Sequence, residues 1–580
     1  MNIIVEGYAM KLLDKKTPKV RYPVFPSLHD LINFIADSYG DSILYRYYVG
    51  KDIRDVSFNE FKQWFIGCGT AFFNRGLNGK RFAIVGESKP EWVSAYMTVI
   101  SAGGVIVPLD KELFPEQIAS FVEYAECDGV FYTESHYEKV KDAKPAMDLF
   151  INLDDCADAE ERGHVIFSKL VAEGLASYKN GDTRFETFRP DTTVMASLVF
   201  TSGTTGTSKG VMLSQNNILF NAYQCVNEVN FTPEDVNISA LPLHHTYECT
   251  AGNIAAMTCG VTICFNNSLK YFMKNVEIFK PTGLVLVPLF VNTVYRRITD
   301  EINKKGKSRT VKTGMVVTGA ARKVGIDLRR NMFGEIIDKL GGNINKIVCG
   351  GAAVNPEVVK WFDSIGITIE QGYGITECSP LVSVNPSSKH KVGSVGKPAV
   401  GSSVKIIVDN NYGVIYEAET GEIGEICVKG PNVMLGYYKN EEATKEAFTS
   451  DGYFRTGDYG YIDKDGYIFI SGRKKNIIVL TNGKNVYPEE IEEYLENIDL
   501  IKECVVVGRE KDDDVILTAV LFPDYDKFKD KTEEEISATL KAQIMNVNRH
   551  LPSFKQIRGI EIRRVEFEKT PTKKIIRSKI

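Results

Sequence analysis

The sequence predicts an α/β protein. It consists of a large amino-terminal domain of doubly wound, parallel-type sheets with a small β-barrel-like subdomain, followed by a small α+β carboxyl-terminal domain. Helix and strand signals alternate, with short connections, through the first half of the chain. After about Ser402, short β-rich runs are separated by Gly, Asn and Asp turns. At 580 residues, the chain is also too long for one hydrophobic core.

The first element is a helix between Ser27 and Gly40, where apolar residues recur at helical spacing, Ser27 can cap the amino terminus and Gly40 can end the helix. The next signals alternate in the order strand 81–86, helix from Glu91, strand 105–109, helix 115–126 and strand 129–133. This alternation implies parallel strands that are buried on both faces. Ligands of such sheets bind beyond the carboxyl ends of the strands.

The domain boundary is predicted near residue 472. Residues 1–472 form the large domain, of which about 400–472 are the β-rich subdomain, and residues 473–580 form the small domain. The run GRKKN (472–476) is a candidate hinge between them. Beyond it, a helix at 488–496 and strands at 503–508 and 514–522 predict an α+β unit of ordinary domain size.

Two stretches without Asp, Glu, Lys or Arg, 92–109 and 249–269, are long enough to be tested as membrane spans. Gly, Ser, Thr, Asn or Pro interrupt both of them. We therefore interpret them as buried elements of the α/β core.

Charge and cysteine content exclude several classes of protein. The chain has 70 basic and 75 acidic side chains, a formal net charge of -5, which argues against a dedicated nucleic-acid binder. The 11 cysteines form no CxxC pair, so we expect free thiols in a reducing cytoplasm. The start, MNIIVEGYAMKLLDKK, lacks the order of a signal peptide, which also favours a cytoplasmic location.

The strongest local signal is TSGTTGTSKG (201–210), which follows an apolar run that we predict to be a strand. Its glycines allow sharp backbone turns, so that N–H groups can converge on an anion, and Lys209 adds a positive charge. The loop departs from the Walker A pattern, which disfavours a P-loop kinase or GTPase. The pattern therefore predicts a triphosphate cradle, with a flexible Ser/Thr/Gly linker as the alternative.

Further motifs follow in order: LPLHHTYE (241–248), GGAAVNP (350–356), QGYGITE (371–377), YFRTGD (453–458), GRKKNIIVLTNGKNVYPEEIE (472–492) and TPTKKIIR (570–577). Together with the loop, they resemble the adenylate-forming superfamily of acyl-CoA synthetases, luciferases and the adenylation domains of peptide synthetases. The resemblance covers roughly residues 195–577, and the first 190 residues match only in general pattern.

The resemblance implies that a carboxylate attacks the α-phosphate of ATP and that pyrophosphate leaves. The carboxylate is already ionised at neutral pH, so the site must supply positive charge and alignment rather than a general base. A second half-reaction then transfers the acyl group to the thiol of coenzyme A while the mixed anhydride is shielded from water. ATP, Mg²⁺ and coenzyme A are therefore expected at the site.

The resemblance also assigns roles to individual residues. Glu377 is the expected magnesium-associated acid, and Thr376 lies beside the phosphates. Tyr373 stacks on adenine, Asp458 accepts both ribose hydroxyls, and Arg473 makes a second ribose or phosphate contact. The remaining expected nucleotide-binding residues are Thr201, Ser202, Gly203, Thr204, Thr205, Gly206, Lys209, Gly351, Ala352, Gln371, Gly372 and Gly374. Taken alone, Glu377 could be a surface acid and Tyr373 a core aromatic residue.

Two lysines are expected to act through domain movement. The resemblance places the adenylation lysine at Lys574, with Lys573 as the alternative because the family has glycine there. Lys475 occupies the hinge position about which the small domain rotates between the two half-reactions.

The resemblance is strongest to medium- and long-chain fatty acid–CoA ligases. Gly374 leaves space where acetate-specific relatives have a large side chain, and each buried methylene contributes about 0.8 kcal/mol. Glu248 is the only acid near the position that pairs with an ammonium group in amino-acid-activating relatives, which disfavours an amino-acid substrate. His245 is expected to line or gate the acyl entrance, with a structural histidine as the alternative.

We therefore interpret the chain as an ATP-dependent, AMP-forming acid–thiol ligase. An aryl or short-chain acid CoA ligase, a fatty acyl-AMP ligase that loads an acyl carrier protein, and a catalytically silent nucleotide-binding protein are the alternatives. The expected partners are small molecules and not nucleic acid. Since fatty acids partition into bilayers, peripheral contact with the inner face of a membrane is a further expectation.

Replacing Lys574 by alanine tests the assignment of this lysine. We expect Lys574→Ala to abolish nearly all adenylation, because its cation stabilises the pentavalent phosphate, yet to leave thioester formation from supplied acyl-adenylate largely intact. ATP–pyrophosphate exchange and acyl-CoA formation measure the two half-reactions separately. Equal loss of both would contradict domain alternation, and loss of neither would move the role to Lys573.

Overall fold

The computed structural model describes residues 12–13, 20–201, 208–386, 389–409, 415–481, 484–511, 514–569 and 575–580. The described residues form two compact units. The first comprises those up to Thr201, Ser208–Ser403 and Lys429–Glu446, and the second comprises those of Val404–Val428 and Ala447–Ile580. The β-rich segment thus groups with the carboxyl-terminal residues. The boundary at 472–473 and the hinge near Lys475 remain predictions.

The first sheet of the first unit has eight strands among the described residues, with a parallel centre and two antiparallel pairings at one end. In spatial order the strands are Gly436–Tyr437, Lys209–Ser214, Met195–Thr201, Val105–Pro108, Arg81–Val85, Gly129–Tyr132, Leu149–Asn152 and Val165–Ile166. Phe82, Ala83, Ile84 and Val85 are all completely buried, as expected for a strand covered on both faces.

The second sheet has nine strands within the described part of the chain, and six of them run parallel through its centre. In spatial order they are Lys397–Pro398, Leu381–Val384, Thr368–Gly374, Lys346–Cys349, Gly283–Leu286, Val236–Ser239, Thr262–Phe265, Ile43–Val49 and Asp52–Ser57. A separate pair, Leu12–Leu13 with Val20–Arg21, is antiparallel.

Helices connect and cover these sheets. The α-helices are Leu28–Tyr39, Phe58–Asn74, Pro90–Ser101, Pro115–Tyr124, Tyr137–Val140, Ala157–Glu161, Phe167–Lys179, Arg184–Thr187, Gln215–Glu228, Ala256–Thr258, Phe272–Phe279, Pro288–Lys304, Ser308–Lys323, Arg329–Met332, Gly334–Lys339, Pro356–Ser364 and Glu441–Ala447. A π-helix spans Tyr247–Ala255, and 3₁₀-helices span Glu134–His136, Leu269–Tyr271 and Thr376–Cys378.

The described residues of the second unit form two larger sheets and one two-stranded sheet. The five strands described in the first are, in spatial order, Ile415–Glu417, Ser403–Asp409, Gly424–Lys429, Phe454–Ile462 and Ile468–Arg473. The second contains Ile501–Lys511, Asp514–Pro523 and Gly559–Ile562, and Ile478–Val479 pairs with Asn485–Val486. The α-helices are Pro488–Glu496 and Glu533–Asn548, and the 3₁₀-helices are Lys474–Asn476, Tyr525–Phe528, Ser553–Lys555 and Arg577–Lys579.

The predicted fold class is confirmed. Ser27 accepts a hydrogen bond from the backbone N–H of Asp30, and Gly40 follows the helix with a φ of 53°. The charge-free stretches form buried helices and strands of the core, as interpreted. Across the described ranges, no helix is both long and apolar enough to cross a membrane. All 11 cysteines are free, and all except Cys156 are buried.

The π-helix carries a carboxyl group into the interior of the first unit. Glu248 is fully buried, its Oε1 accepts hydrogen bonds from the Ser239 hydroxyl at 2.5 Å and the Asn253 amide at 3.3 Å, and its Oε2 has no hydrogen-bond partner among the described residues. Burial raises the pKa of Glu248 from its ordinary 4.5 to about 8, an effect that the Ser239 hydrogen bond partly opposes. The side chain is therefore a neutral acid at pH 7.

This raised pKa makes the stability of the fold depend on pH. Between about pH 5 and pH 8 the unfolded chain has lost the Glu248 proton while the folded chain retains it, so the free energy of unfolding falls as pH rises. Glu248→Gln removes the contribution of this carboxyl group to the pH dependence of the free energy of unfolding. We expect its free energy of unfolding, relative to the wild type, to increase by roughly 1 kcal/mol per pH unit across this window.

Urea unfolding at pH 5.5, 6.5 and 7.5 measures the difference. Glu446→Gln, at an exposed position, is the matched control and should show no such trend. A stability difference between Glu248→Gln and the wild type that stays constant with pH would contradict a buried neutral carboxyl.

Candidate active site

The second sheet brings two of the sequence motifs to one edge. Strands Lys346–Cys349 and Thr368–Gly374 are parallel neighbours, with Cys349 opposite Gln371. Their carboxyl ends therefore lie side by side, and Gly350–Ala352 emerges beside Gly372–Gly374. The structure thus brings together the residues that the resemblance assigns to the two walls of an adenine site.

The backbone conformation and the burial of the residues at this edge are compatible with binding a flat ring. Gly351 has a φ of 87°, a conformation that side-chain-bearing residues rarely adopt. Tyr373 is buried, and Gln371 is buried in the same strand. Ala352, which follows Gly351, is exposed. Small residues on one side and an aromatic ring on the other provide the space and the surface that a flat ring needs.

An apolar cavity of about 90 Å³ adjoins this edge. Its wall is mainly aliphatic and aromatic, and no acidic side chain of the described residues contributes to it. The lining residues are Cys225, Val226, Val229, Phe231, Tyr247, Ala251, Ala255, Cys259, Val285, Val348, Gly350, Gly351, Gly372, Tyr373, Gly374, Pro380, Leu381 and Val384. The cavity is thus continuous with the residues of the predicted adenine site.

Tyr247, the first residue of the π-helix, is fixed at the wall of this cavity. Its hydroxyl donates to the Val348 carbonyl at 3.1 Å, and its ring lies 3.2 Å from where a Cβ on Gly350 would be. Burial raises the pKa of Tyr247 well above its ordinary value, so the hydroxyl remains a donor. Glycine at position 350 therefore permits the close packing of this ring.

Gly374 lines the cavity, and it also has a packing role. A Cβ at this position would lie 2.4 Å from the carbonyl oxygen of Pro380, because Gly374 pairs closely with Leu381 in the neighbouring antiparallel strand. Any side chain there would displace backbone. The acyl-pocket interpretation of Gly374 remains a prediction, and the sequence did not reveal this second reason for glycine.

Three side chains that are far apart in the sequence come together beyond the end of strand Thr368–Gly374. Glu377 lies in the 3₁₀-helix Thr376–Cys378, directly after strand Thr368–Gly374. Its Oε1 accepts a hydrogen bond from the hydroxyl of Tyr437 at 2.9 Å. The ammonium of Lys209 lies 4.7 Å from the centre of the Tyr437 ring, which is a cation–π contact. Tyr437 therefore links the predicted magnesium-associated acid to the predicted phosphate-binding lysine.

Tyr437 lies outside the motifs by which the sequence predicts the site. Strand Gly436–Tyr437 pairs with Lys209–Ser214 across more than 200 positions, a pairing for which the local pattern GYY gives no signal. Burial, together with the negative charge of Glu377, raises the pKa of Tyr437. The hydroxyl therefore stays protonated and orients one oxygen of the Glu377 carboxylate.

The glycine-rich loop is described only at its ends. Thr201 and Lys209 are opposite each other in antiparallel strands, and the Thr201 hydroxyl donates to the Lys209 carbonyl at 3.4 Å. The predicted loop residues Ser202, Gly203, Thr204, Thr205 and Gly206 lie outside the described residues.

Lys573 and Lys574 also lie outside the described residues. The segments on either side of them meet, since Lys569 and Ile575 form an antiparallel bridge. Arg577 forms an ion pair with Glu492 of helix Pro488–Glu496. These contacts anchor the flanks of the predicted adenylation lysine to the second unit.

The predicted ribose contacts pair with each other in the second unit. Asp458 and Arg473 are opposite each other in antiparallel strands, and Arg473 Nε lies 2.7 Å from Asp458 Oδ1. The Asp458 side chain is 4% exposed, and the Arg473 side chain is 41% exposed. Lys475 follows closely in the 3₁₀-helix Lys474–Asn476. An exposed guanidinium beside a buried carboxylate is suited to contact a polar ligand.

The two histidines of LPLHHTYE are in contact, with ring centres 4.1 Å apart and ring planes tilted by 51° to each other. Nε2 of His244 lies 3.7 Å from Oδ2 of Asp110, and burial lowers the pKa of His244 well below its ordinary value. His245 is half-buried, and its role at an acyl entrance stays a prediction. Glu248, in contrast, is directed to Ser239 and Asn253, so its neutral carboxyl is not placed to pair with an ammonium group.

Comparison with known proteins agrees with this geometry. The chain matches the model of the AMP-binding enzyme over residues 35–438 and that of the AMP-binding enzyme C-terminal domain over residues 475–580. It is 28% identical to the long-chain-fatty-acid–CoA ligase FadD15 of Mycobacterium bovis, over 93% of this chain and 92% of that protein. It is also 28% identical to the peroxisomal long chain acyl-CoA synthetase 7 of Arabidopsis thaliana, over 84% of this chain and 72% of that one.

The fold is shared with solved structures. ATP-bound MatB from Rhodopseudomonas palustris superimposes with a TM-score of 0.69 at 24% sequence identity, covering 95% of this chain and 97% of that one. The two family models confirm the resemblance to adenylate-forming enzymes that the sequence motifs predicted. The two family models together span most of the chain, which identifies it as a member of the AMP-binding enzyme family.

Proposed function

We propose that the protein activates a long-chain fatty acid with ATP and transfers the acyl group to coenzyme A. The observation that carries this proposal is the apolar cavity that adjoins Gly351 and Tyr373 and has no acidic side chain in its described wall. A hydrocarbon chain is the substrate part that gains most from such a wall. The names of the two similar ligases support the same substrate class.

In the first half-reaction, a carboxylate oxygen of the fatty acid bonds to the α-phosphorus of ATP, and the bond to pyrophosphate breaks. In the second, the sulfur of coenzyme A bonds to the acyl carbon, AMP leaves, and the thiol proton is released. Within the first unit, Tyr373 and Gly351 bind the adenine ring, and Lys209 supplies positive charge toward the phosphates. Asp458 accepts the ribose hydroxyls, and Arg473 makes a second contact to the ribose or a phosphate. Lys574 stabilises the charge that develops on the α-phosphate.

Mg²⁺ fits the environment of Glu377. Tyr437 occupies Oε1 of this half-buried carboxylate at 2.9 Å and leaves a hard oxygen ligand of the type that Mg²⁺ prefers. When bound, the ion neutralises phosphate charge. Tyr437 holds the carboxylate in one orientation, and Glu377 and Thr376 provide the oxygen atoms at this point of the site.

Two alternative functions are distinguished from this proposal by the acid that they activate or by the thiol that accepts the acyl group. An aryl or short-chain acid CoA ligase would share the two half-reactions but would respond to benzoate or propionate and not to hexadecanoate. A fatty acyl-AMP ligase would load a phosphopantetheinylated carrier protein and form no acyl-CoA. The cavity next to Tyr373 favours a fatty acid over the first alternative.

The substrate class is tested by ATP–pyrophosphate exchange with acids from C2 to C18, with and without coenzyme A. We expect the wild type to favour long chains. Ala251→Phe, which fills part of the cavity wall, should lower exchange with hexadecanoate relative to octanoate by roughly thirty-fold, since losing room for two or three methylenes costs about 2 kcal/mol.

Ala172→Phe, at an exposed position on helix Phe167–Lys179, is the matched control and should leave the ratio unchanged. Exchange that is driven by benzoate or propionate but not by hexadecanoate would refute the fatty acid assignment. Loading of a carrier protein without acyl-CoA formation would refute coenzyme A as the acceptor.

The role of Tyr437 is tested by its replacement with phenylalanine. Tyr437→Phe removes the hydrogen bond to Glu377 and keeps the ring beneath Lys209. Since outer hydrogen bonds to metal ligands contribute about 10- to 100-fold to affinity or activity, we expect the Mg²⁺ concentration for half-maximal exchange to rise at least tenfold. Saturating Mg²⁺ should restore most of the rate, whereas Glu377→Gln should remain inactive. An unchanged Mg²⁺ dependence would contradict this role.

A further inference from the structure

The strongest feature outside the described site is a helical region of the first unit, residues 288–332. It contains 11 Lys and Arg and 3 Asp and Glu, a net charge of +8 in a chain whose total is -5, so the rest of the chain carries -13. It forms the helices Pro288–Lys304, Ser308–Lys323 and Arg329–Met332. None of these residues belongs to the predicted nucleotide site.

Helix Ser308–Lys323 has a distinct inner face. Gly314 and Thr318 are buried, and Val311 and Met315 pack against the hydrophobic core of the second sheet. A Cβ on Gly314 would lie 2.9 Å from the sulfur of Met332, so the helix is closely packed on this side. The orientation of the helix on the domain is therefore fixed by its inner residues.

The opposite face combines positive charge with exposed apolar groups. Arg309, Lys312, Val316 and Lys323 recur at helical spacing, and Val324 follows at the end of the helix. Val316 is 73% exposed and Val324 is 74% exposed. We call these five residues the basic–apolar face. Exposed Ile326 and Leu328 continue the apolar character beyond it.

The charges of this face are available to a ligand. Among the described residues, Arg309, Lys312 and Lys323 take part in no ion pair. The nearby Arg322 and Arg329 differ, because both pair with Asp363. Solvated cations with valines between them are the composition expected of a surface that meets lipid headgroups and the outer acyl region together.

We propose that the basic–apolar face docks the protein on an anionic lipid bilayer. Anionic headgroups attract Arg309, Lys312 and Lys323, and Val316 and Val324 insert among the headgroups and leave water. A polyanion such as nucleic acid would satisfy the cations but would leave the valines without a partner. An acidic protein is a different partner, and the experiment separates it from lipid.

The proposal rests on the proposed function only for its purpose, which is access to a substrate that resides in bilayers. The binding itself follows from charge and exposed apolar area. It can therefore be measured without ATP, coenzyme A or a fatty acid.

The test is flotation of the full chain with vesicles of 30% phosphatidylglycerol in phosphatidylcholine, and with vesicles of phosphatidylcholine alone. We expect partition into the anionic vesicles only, weakened by salt. The double variants Val316→Asn/Val324→Asn and Lys312→Gln/Lys323→Gln should each lower the partition coefficient at least tenfold. Met545→Gln, at a position 63% exposed on helix Glu533–Asn548, is the control and should bind as the wild type does.

Two outcomes would overturn the proposal: no partition of the wild type, or equal partition of the valine variant and the wild type. Equal partition of the valine variant is also the result expected if the partner is an acidic protein, because such a partner needs only the cations. Acyl-CoA formation from octanoate, measured without vesicles, should be unchanged in both double variants. Loss of vesicle binding with intact ligase activity in the double variants would support the docking surface. Vesicle binding by a wild type that lacks ligase activity would refute only the proposed function.

Discussion

The parallel pairing of Lys346–Cys349 with Thr368–Gly374 is the constraint on which the candidate site depends. Because Cys349 lies opposite Gln371, the glycines after one strand and the aromatic residue at the end of the other share one edge. A shift of one residue would turn Tyr373 to the opposite face of the sheet. Hydrogen bonds between buried strands fix this register far more firmly than the exposed loops could.

Polar side chains and the apolar cavity both lie at this edge of the second sheet. Tyr437 connects the carboxylate of Glu377 and the ammonium of Lys209 without bringing the two charges into direct contact. In the cavity wall, the Tyr247 hydroxyl donates a hydrogen bond to the backbone of the sheet, and Tyr247 also lines the cavity. Each tyrosine thus uses two chemically different ends, a polar hydroxyl and an aromatic ring.

Much of the fold could be predicted from the sequence because the alternation of helices and strands is a local signal. The helix that begins after Ser27 needs only its cap and its apolar spacing, and the motif around Tyr373 is contiguous. Tyr437 could not be predicted in this way, because its place depends on pairing with a strand that is distant in the sequence.

Burial was equally invisible in the sequence. Nothing in LPLHHTYE distinguishes Glu248 from an ordinary ionised acid. The packing of the π-helix buries its carboxyl group, and this burial raises its pKa and keeps it neutral. The packing reason for Gly374 depends on the return of the chain through Pro380. The basic–apolar face was also missed, since its valines and lysines are separated by small and polar residues and only the buried Gly314 and Thr318 reveal which side faces out.

The thiols in the cavity wall have a chemical consequence. Cys225 and Cys259 border the space proposed for the acyl chain, and burial raises the pKa of each thiol to about 12. Since the thiolate is the nucleophile, these sulfur atoms remain inert at neutral pH. An enzyme that makes an activated acyl group can therefore line the space for the acyl chain with cysteines that do not compete with coenzyme A as nucleophiles.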